Sequence, residues 1–110
     1  KKGNYFEAQA LFESVVKPGE WKKYPEVIFF LSLCELEINR PDRAIVWLEN
    51  LTSLGVSFPY YEQSFWYLGL AYVKQEELGK AQRIFQQISS GNGPYAKKAK
   101  DLLENLNDRE

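Results

Sequence analysis

The chain has 110 residues, 45% of them apolar and 15% aromatic, with 14 basic against 15 acidic side chains and a formal net charge of −1. That length suits one ordinary domain, which buries roughly 60–70% of its unfolded surface and holds a core without staples. Balanced charge argues against a nucleic-acid groove, where phosphates demand a basic excess; no apolar run approaches the ~20 residues of a membrane span, and no long apolar stretch follows the opening lysines as a signal peptide requires.

The first segment, GNYFEAQALFESV at 3–15, spaces its apolar residues helically and predicts a helix over 4–16, ended by Lys17-Pro18-Gly19. Trp21-Lys22-Lys23-Tyr24 reads as a connecting loop with solvated lysines. Pro25 suits the first turn of a helix over 25–38, where its missing N–H is an orphan in any case. That helix carries the one cysteine, Cys34, inside the apolar run FFLSLCEL. A single cysteine makes neither an intrachain disulfide nor a zinc-ligand pair, and the chain has no histidine to activate the thiol or serve as a general base. Cys34 is therefore expected as a small buried hydrophobe. Glu35 and Glu37, two residues apart, fall on different helix faces and do not form a paired-carboxylate catalyst.

Asn39-Arg40-Pro41-Asp42 is a tight break, with Pro41 opening a helix over 41–54 and Gly55 following as its stop. Ser57-Phe58-Pro59 begins a helix over 59–75, and another is predicted over 78–89. Gly91-Asn92-Gly93-Pro94 closes that helix and lacks the spacing and the lysine of a phosphate cradle. A last helix is predicted over 94–106, with apolar Tyr95, Ala99, Leu102, Leu103 and Leu106 on one stripe and charged residues behind it, the pattern of a capping helix. No strand pattern survives this reading, so the fold class is all-α. No catalysis, metal or cofactor is expected.

Three of these segments repeat. Ala8, Ala44 and Ala81 lie 36 and 37 residues apart, and each is followed four residues later by a large apolar side chain: Phe12, Leu48 and Phe85. Three further on stand Val15, Leu51 and Ile88, so each trio shares one helix face. A second unit precedes two of them, Leu31-Ser32 and Leu68-Gly69, with thirteen residues from the leucine to the next alanine both times. The alanine, and the small residue after the leucine, let two helices approach closely. Two helices per unit at a fixed period predict an α-solenoid of antiparallel helix pairs.

LGLAY followed by GKAQRIF resembles the tetratricopeptide repeat (TPR), whose pattern runs W-x2-L-G-x2-Y and then A-x3-F. Phe65 stands at the tryptophan place, Leu68 and Gly69 at Leu-Gly, Tyr72 at the tyrosine, and Ala81 and Phe85 at the Ala and Phe places. Gly3, Tyr5, Ala8 and Phe12 look like the second helix of such a repeat. The middle unit departs from the pattern at Ser32 and Glu35. The resemblance implies a right-handed superhelix comprising 4–16 as the second helix of a truncated repeat, repeats over 25–54 and 59–89, and a cap over 94–106. A repeat without its first helix implies a piece of a longer protein. The C-terminal half is similar to repeat modules of bacterial envelope proteins, notably Bacteroidetes-like ones.

What the resemblance implies for function is protein–protein interaction, not catalysis. In the family, the fifth, ninth, twelfth and thirteenth positions of each repeat line a concave face. Here these are Phe29, Leu33, Leu36 and Glu37 in the middle unit, and Trp66, Leu70, Val73 and Lys74 in the next. The expected partner-binding residues are therefore Phe29, Leu33, Leu36, Trp66, Leu70, Val73 and Lys74. They would take an apolar or helical segment of another protein, with Trp66 as the anchor. The same apolar face also suits self-association into a homo-oligomer, or a cover of neighbouring helices. A clamp for acidic tails, which needs lysine and asparagine in the groove, is not expected.

Overall fold

The structure, a computed structural model, describes residues 2–15 and 19–108. Among these are six α-helices and no strand: α1 (Lys2–Val15), α2 (Pro25–Glu37), α3 (Pro41–Thr52), α4 (Tyr61–Lys74), α5 (Leu78–Ser89) and α6 (Ala96–Asp108). A 3-10 turn over Trp21–Lys23 occupies the expected connecting loop. The expected stop at Lys17-Pro18 and the end of the first helix at Val16 lie outside the described residues, as does the side chain of Val15.

The helices begin where the sequence permits them to. Pro25 and Pro41 each sit in the first turn of their helix, and Glu26, Asp42 and Glu62 place a carboxylate near the positive end of α2, α3 and α4. Two starts come later than predicted. Pro59 belongs to a turn closed by Tyr61 N–H to the Phe58 carbonyl (3.0 Å), and Pro94 to one closed by Ala96 N–H to the Gly93 carbonyl (3.2 Å). Each proline takes a turn position, and its helix starts two residues further on.

The helix ends repeat at an interval of 37 residues. Asn39 (φ 62°) and Glu76 (φ 59°) are both left-handed and each stops its helix. Around Asn39, the N–H of residue 39 donates to Leu36 (3.1 Å), that of Arg40 to Glu35 (2.7 Å) and that of Ala44 to Arg40 (3.2 Å). Around Glu76 the corresponding donors are Glu76 to Val73 (2.9 Å), Glu77 to Tyr72 (2.9 Å) and Ala81 to Glu77 (3.1 Å). The α2–α3 and α4–α5 pairs are thus joined by the same hydrogen-bonded turn, which satisfies the orphan carbonyls of the first helix while reversing the chain.

Packing follows chain order: each helix packs on the next from α1 to α6, with a smaller contact between α2 and α4. The alanines and large apolar residues of the repeat lie at these junctions. Ala44, Leu48, Leu51, Ala81 and Phe85 are fully buried, joined by Ile28, Leu31, Leu68, Ala71 and Tyr72. Gly69 shows why a small residue stands there. A Cβ on it would come within 2.6 Å of Cε1 and Cζ of Phe85, so the aromatic ring of α5 lies directly against the α4 backbone. The corresponding position in α2 is Ser32, also fully buried, whose hydroxyl donates to the Ile28 carbonyl at 2.9 Å. α6 buries Ala99 and Leu106 from its predicted apolar stripe, and its charged back faces solvent.

Candidate interaction surface

The first repeat position behaves differently from the other two. Ala44 and Ala81 are fully buried, whereas Ala8 and Phe12 on α1 are only half-buried. They line a groove of about 640 Å³ together with Asn4 and Tyr5 of α1, Phe30, Leu33, Cys34, Leu36 and Glu37 of α2, and Tyr67 of α4. Its walls are mainly apolar. Phe30 is 50% exposed there and adds its ring to the apolar wall.

Only part of the expected site lies in this groove. Leu33 and Leu36 line it, with Glu37 at the same wall. Phe29 is 5% exposed and belongs to the core, stacked on Tyr60 (centroids 4.7 Å, planes 10° apart) and edge-on to Tyr67 (6.0 Å). Its neighbour Phe30 takes the groove position instead. Trp66, the expected anchor, is half-buried within its own chain, 5.4 Å from the Phe85 ring and stacked on Tyr95 at 5.2 Å. Leu70 and Val73 are partly buried against the core, and Lys74 is exposed at the last turn of α4. Of the seven expected residues, Phe29, Trp66, Leu70, Val73 and Lys74 do not line this groove.

Helix geometry gives the reason. Trp66 and Gly69 are three residues apart, so they share a face, and Gly69 lies on Phe85. A glycine read as the contact with α5 assigns Trp66 to that contact as well. Tyr67, one residue on, points to the α1–α2 side and lines the groove. Tyr5, Phe12 and Phe30, which the expected site omitted, were findable only by knowing how α1 leans on α2.

A set of polar contacts between the helices also repeats. Tyr72 of α4 donates its hydroxyl to Glu49 Oε2 of α3 at 2.5 Å, and the Lys80 ammonium of α5 lies 5.5 Å from the centre of its ring. Burial, then the Glu49 hydrogen bond, push the Tyr72 phenol up to about 12, so it remains a donor at any physiological pH. One unit earlier the same three positions are Glu35, Glu13 and Arg43. Arg43 hydrogen-bonds Glu13 of α1 and brings its Nε 3.5 Å from Glu35 Oε1. Arg40 lies 4.9 Å from the centre of the Phe6 ring, a second tie to α1. Where a tyrosine meets the carboxylate of the neighbouring helix directly in one unit, a buried carboxylate stands in its place in the other and Arg43 makes the link.

That exchange is costly. Glu35 is fully buried and neither of its carboxylate oxygens accepts a hydrogen bond. Burial raises its pKa above the ordinary carboxylate value, and Arg43 and Arg40 offset the rise only in part. The folded protein therefore holds this proton to a higher pH than the unfolded chain does. Its contribution to stability is fully present at pH below the unfolded value and is lost as pH rises through the folded one. Glu35→Gln is expected to flatten that dependence, so that its melting temperature gains on the parent's as pH rises above the ordinary carboxylate range. Parallel melting curves for the two proteins across that rise would exclude a buried carboxylate as the source. Cys34, beside it, is buried, and burial followed by Glu35 and Glu37 pushes its thiol pKa up, leaving a weak nucleophile.

Among the described residues no group of three or more potential ligands could hold a metal ion, and no helix is long and apolar enough to cross a membrane. Comparison with protein-family models, curated proteins and solved structures finds no match to this chain.

Proposed function

We propose that this chain is a TPR-like α-solenoid module that works by non-catalytic protein–protein interaction, as a scaffold or adaptor, taking an apolar or helical segment of a partner protein into the α1–α2 groove. The observation that carries this reading is the half-exposure of Ala8 and Phe12. At the two equivalent junctions Ala44 with Leu48, and Ala81 with Phe85, are fully buried under a packed helix. The α1 junction has the same residue pattern and about 640 Å³ of mostly apolar groove beside it. A helix presenting a small residue toward Phe12, as Gly69 does toward Phe85, would reproduce the contact that the chain makes with itself elsewhere. The turns repeated 37 residues apart, and the polar ties repeated 36 to 37 apart, support the solenoid reading.

Phe30→Asp combined with Leu33→Asp is the test. Both positions line the groove, and Phe30 is half exposed, so most of the loss should fall on binding. A photo-crosslinking side chain at position 37 is expected to capture a defined partner peptide, and the double substitution to abolish the capture while the circular dichroism spectrum stays helical. Equal capture from position 86, on the exposed side of α5, would show non-specific adhesion instead. The same apolar groove fits a second copy of the chain. Light scattering separates the two: a mass that rises with concentration, and falls back to the monomer with the double substitution, makes this a self-assembly element.

A further inference from the structure

A second concavity, of about 180 Å³, opens where the start of α4 meets the α5–α6 turn, and it shares no residue with the groove. Tyr61 and Phe65 line it from successive turns of α4, their ring centroids 5.0 Å apart and their planes at 89°. Ile88 of α5 adds an apolar wall, and Tyr95 bounds the cavity from the residue before α6. Tyr95 is already held in place, stacked on Trp66 at 5.2 Å and with the Lys98 ammonium 5.8 Å from its ring centre.

Glu62 brings a carboxylate to this aromatic corner. It is seated over Gly93, where a Cβ would lie 2.5 Å from Oε2, so the absence of a side chain at 93 makes room for it. Among the described residues Glu62 forms no ion pair, and the α5–α6 turn offers it no cation. The other polar lining groups are the amides of Gln87 and Asn92, and no lysine or arginine lines the cavity. Perpendicular aromatic rings carry negative charge on their faces and attract cations without hydrogen bonds. A primary ammonium is compact and strongly hydrated, and needs several acceptors to leave water. An ammonium with methyl groups instead matches rings and an isoleucine on its sides and a single carboxylate for its charge.

We propose that this cavity binds a methylated ammonium head group, with Tyr61 and Phe65 as the aromatic corner and Glu62 as the counter-charge. It is a site separate from the groove, and its failure would leave the interaction reading untouched. The test is an amide NMR titration of the full chain with choline, beside its uncharged carbon isostere dimethylbutanol and sodium chloride at matched ionic strength. Choline is expected to give saturable shifts centred on residues 61–65 and 91–95, and to bind at least about fivefold tighter than the isostere. Glu62→Gln, an exposed position, is expected to remove most of that preference without moving the isostere's affinity. Phe65→Leu should weaken choline more than the isostere; should that variant unfold, Glu62→Gln decides alone. Equal affinity for choline and isostere would reduce the site to a plain apolar pocket. Shifts reproduced by sodium chloride, or no saturation at millimolar choline, would equally overturn the proposal.

Discussion

Phe85→Ala is expected to cost about 3–5 kcal/mol of folding free energy. Phe85 is the largest fully buried side chain among the described residues, and three groups meet at its ring. Its ring lies on the bare backbone of Gly69, against the Trp66 indole at 5.4 Å, and next to the buried Ala81 one turn back on its own helix. Truncation leaves a cavity that α4 cannot collapse into, because the α4–α5 turn is fixed by the Glu76 and Glu77 hydrogen bonds at 2.9 Å. With total stability of about 5–15 kcal/mol for a domain of this kind, the loss takes a large share of the whole. Chemical denaturation with an unchanged slope and a lower midpoint is the expected reading. A cost below that of an exposed phenylalanine such as Phe6 would mean that the α4–α5 junction is not the core.

Gly69→Leu is the second large effect, expected at about 1–3 kcal/mol from overpacking. The cause is steric and local: the first side-chain atom would already sit 2.6 Å from two carbons of the Phe85 ring. Leucine is the better helix former by almost 1 kcal/mol, so local propensity pulls the other way and packing has to overcome it. Gly79 supplies the control. It lies in α5 with nothing within 4 Å of a Cβ built on it, so Gly79→Ala should stabilise by about 0.5–1 kcal/mol. The double variant Gly69→Leu with Phe85→Ala should lose less than the two singles together, since each removes what the other clashes with or leaves empty. Strict additivity would refute the contact.

Which parts of this were legible beforehand depends on the range of the physics involved. The helices were, because periodicity and proline placement act within a few residues; Pro25 and Pro41 open α2 and α3 where expected. The close approach at Gly69 was legible for the same reason, since a lone glycine inside an apolar helix has few other uses. Cys34 as a buried hydrophobe follows from its apolar run. The candidate site was read only in part. Leu33 and Leu36 line the groove, but Phe29 is covered by Tyr60, a residue of the α3–α4 connection whose position no periodicity encodes. Trp66 stands on the Gly69 face, and that relation was present in the three-residue spacing.

The sequence by itself determined the all-helical class, the helix pairs with their period of 36 to 37 residues, and the small residues at the pair contacts. These are local or strictly repetitive properties, written by side-chain spacing and turn chemistry. Only the tertiary structure decided which aromatic residues are covered and which are open: Phe29 in the core and Phe30 in the groove, Trp66 against Phe85 and Tyr95, Glu62 over Gly93, Glu35 buried between α1 and α3. Exposure depends on which neighbouring element arrives from far along the chain, and neighbours on a helix differ by about 100° in direction. A one-residue ambiguity in facing is invisible to composition and becomes decisive once three helices meet.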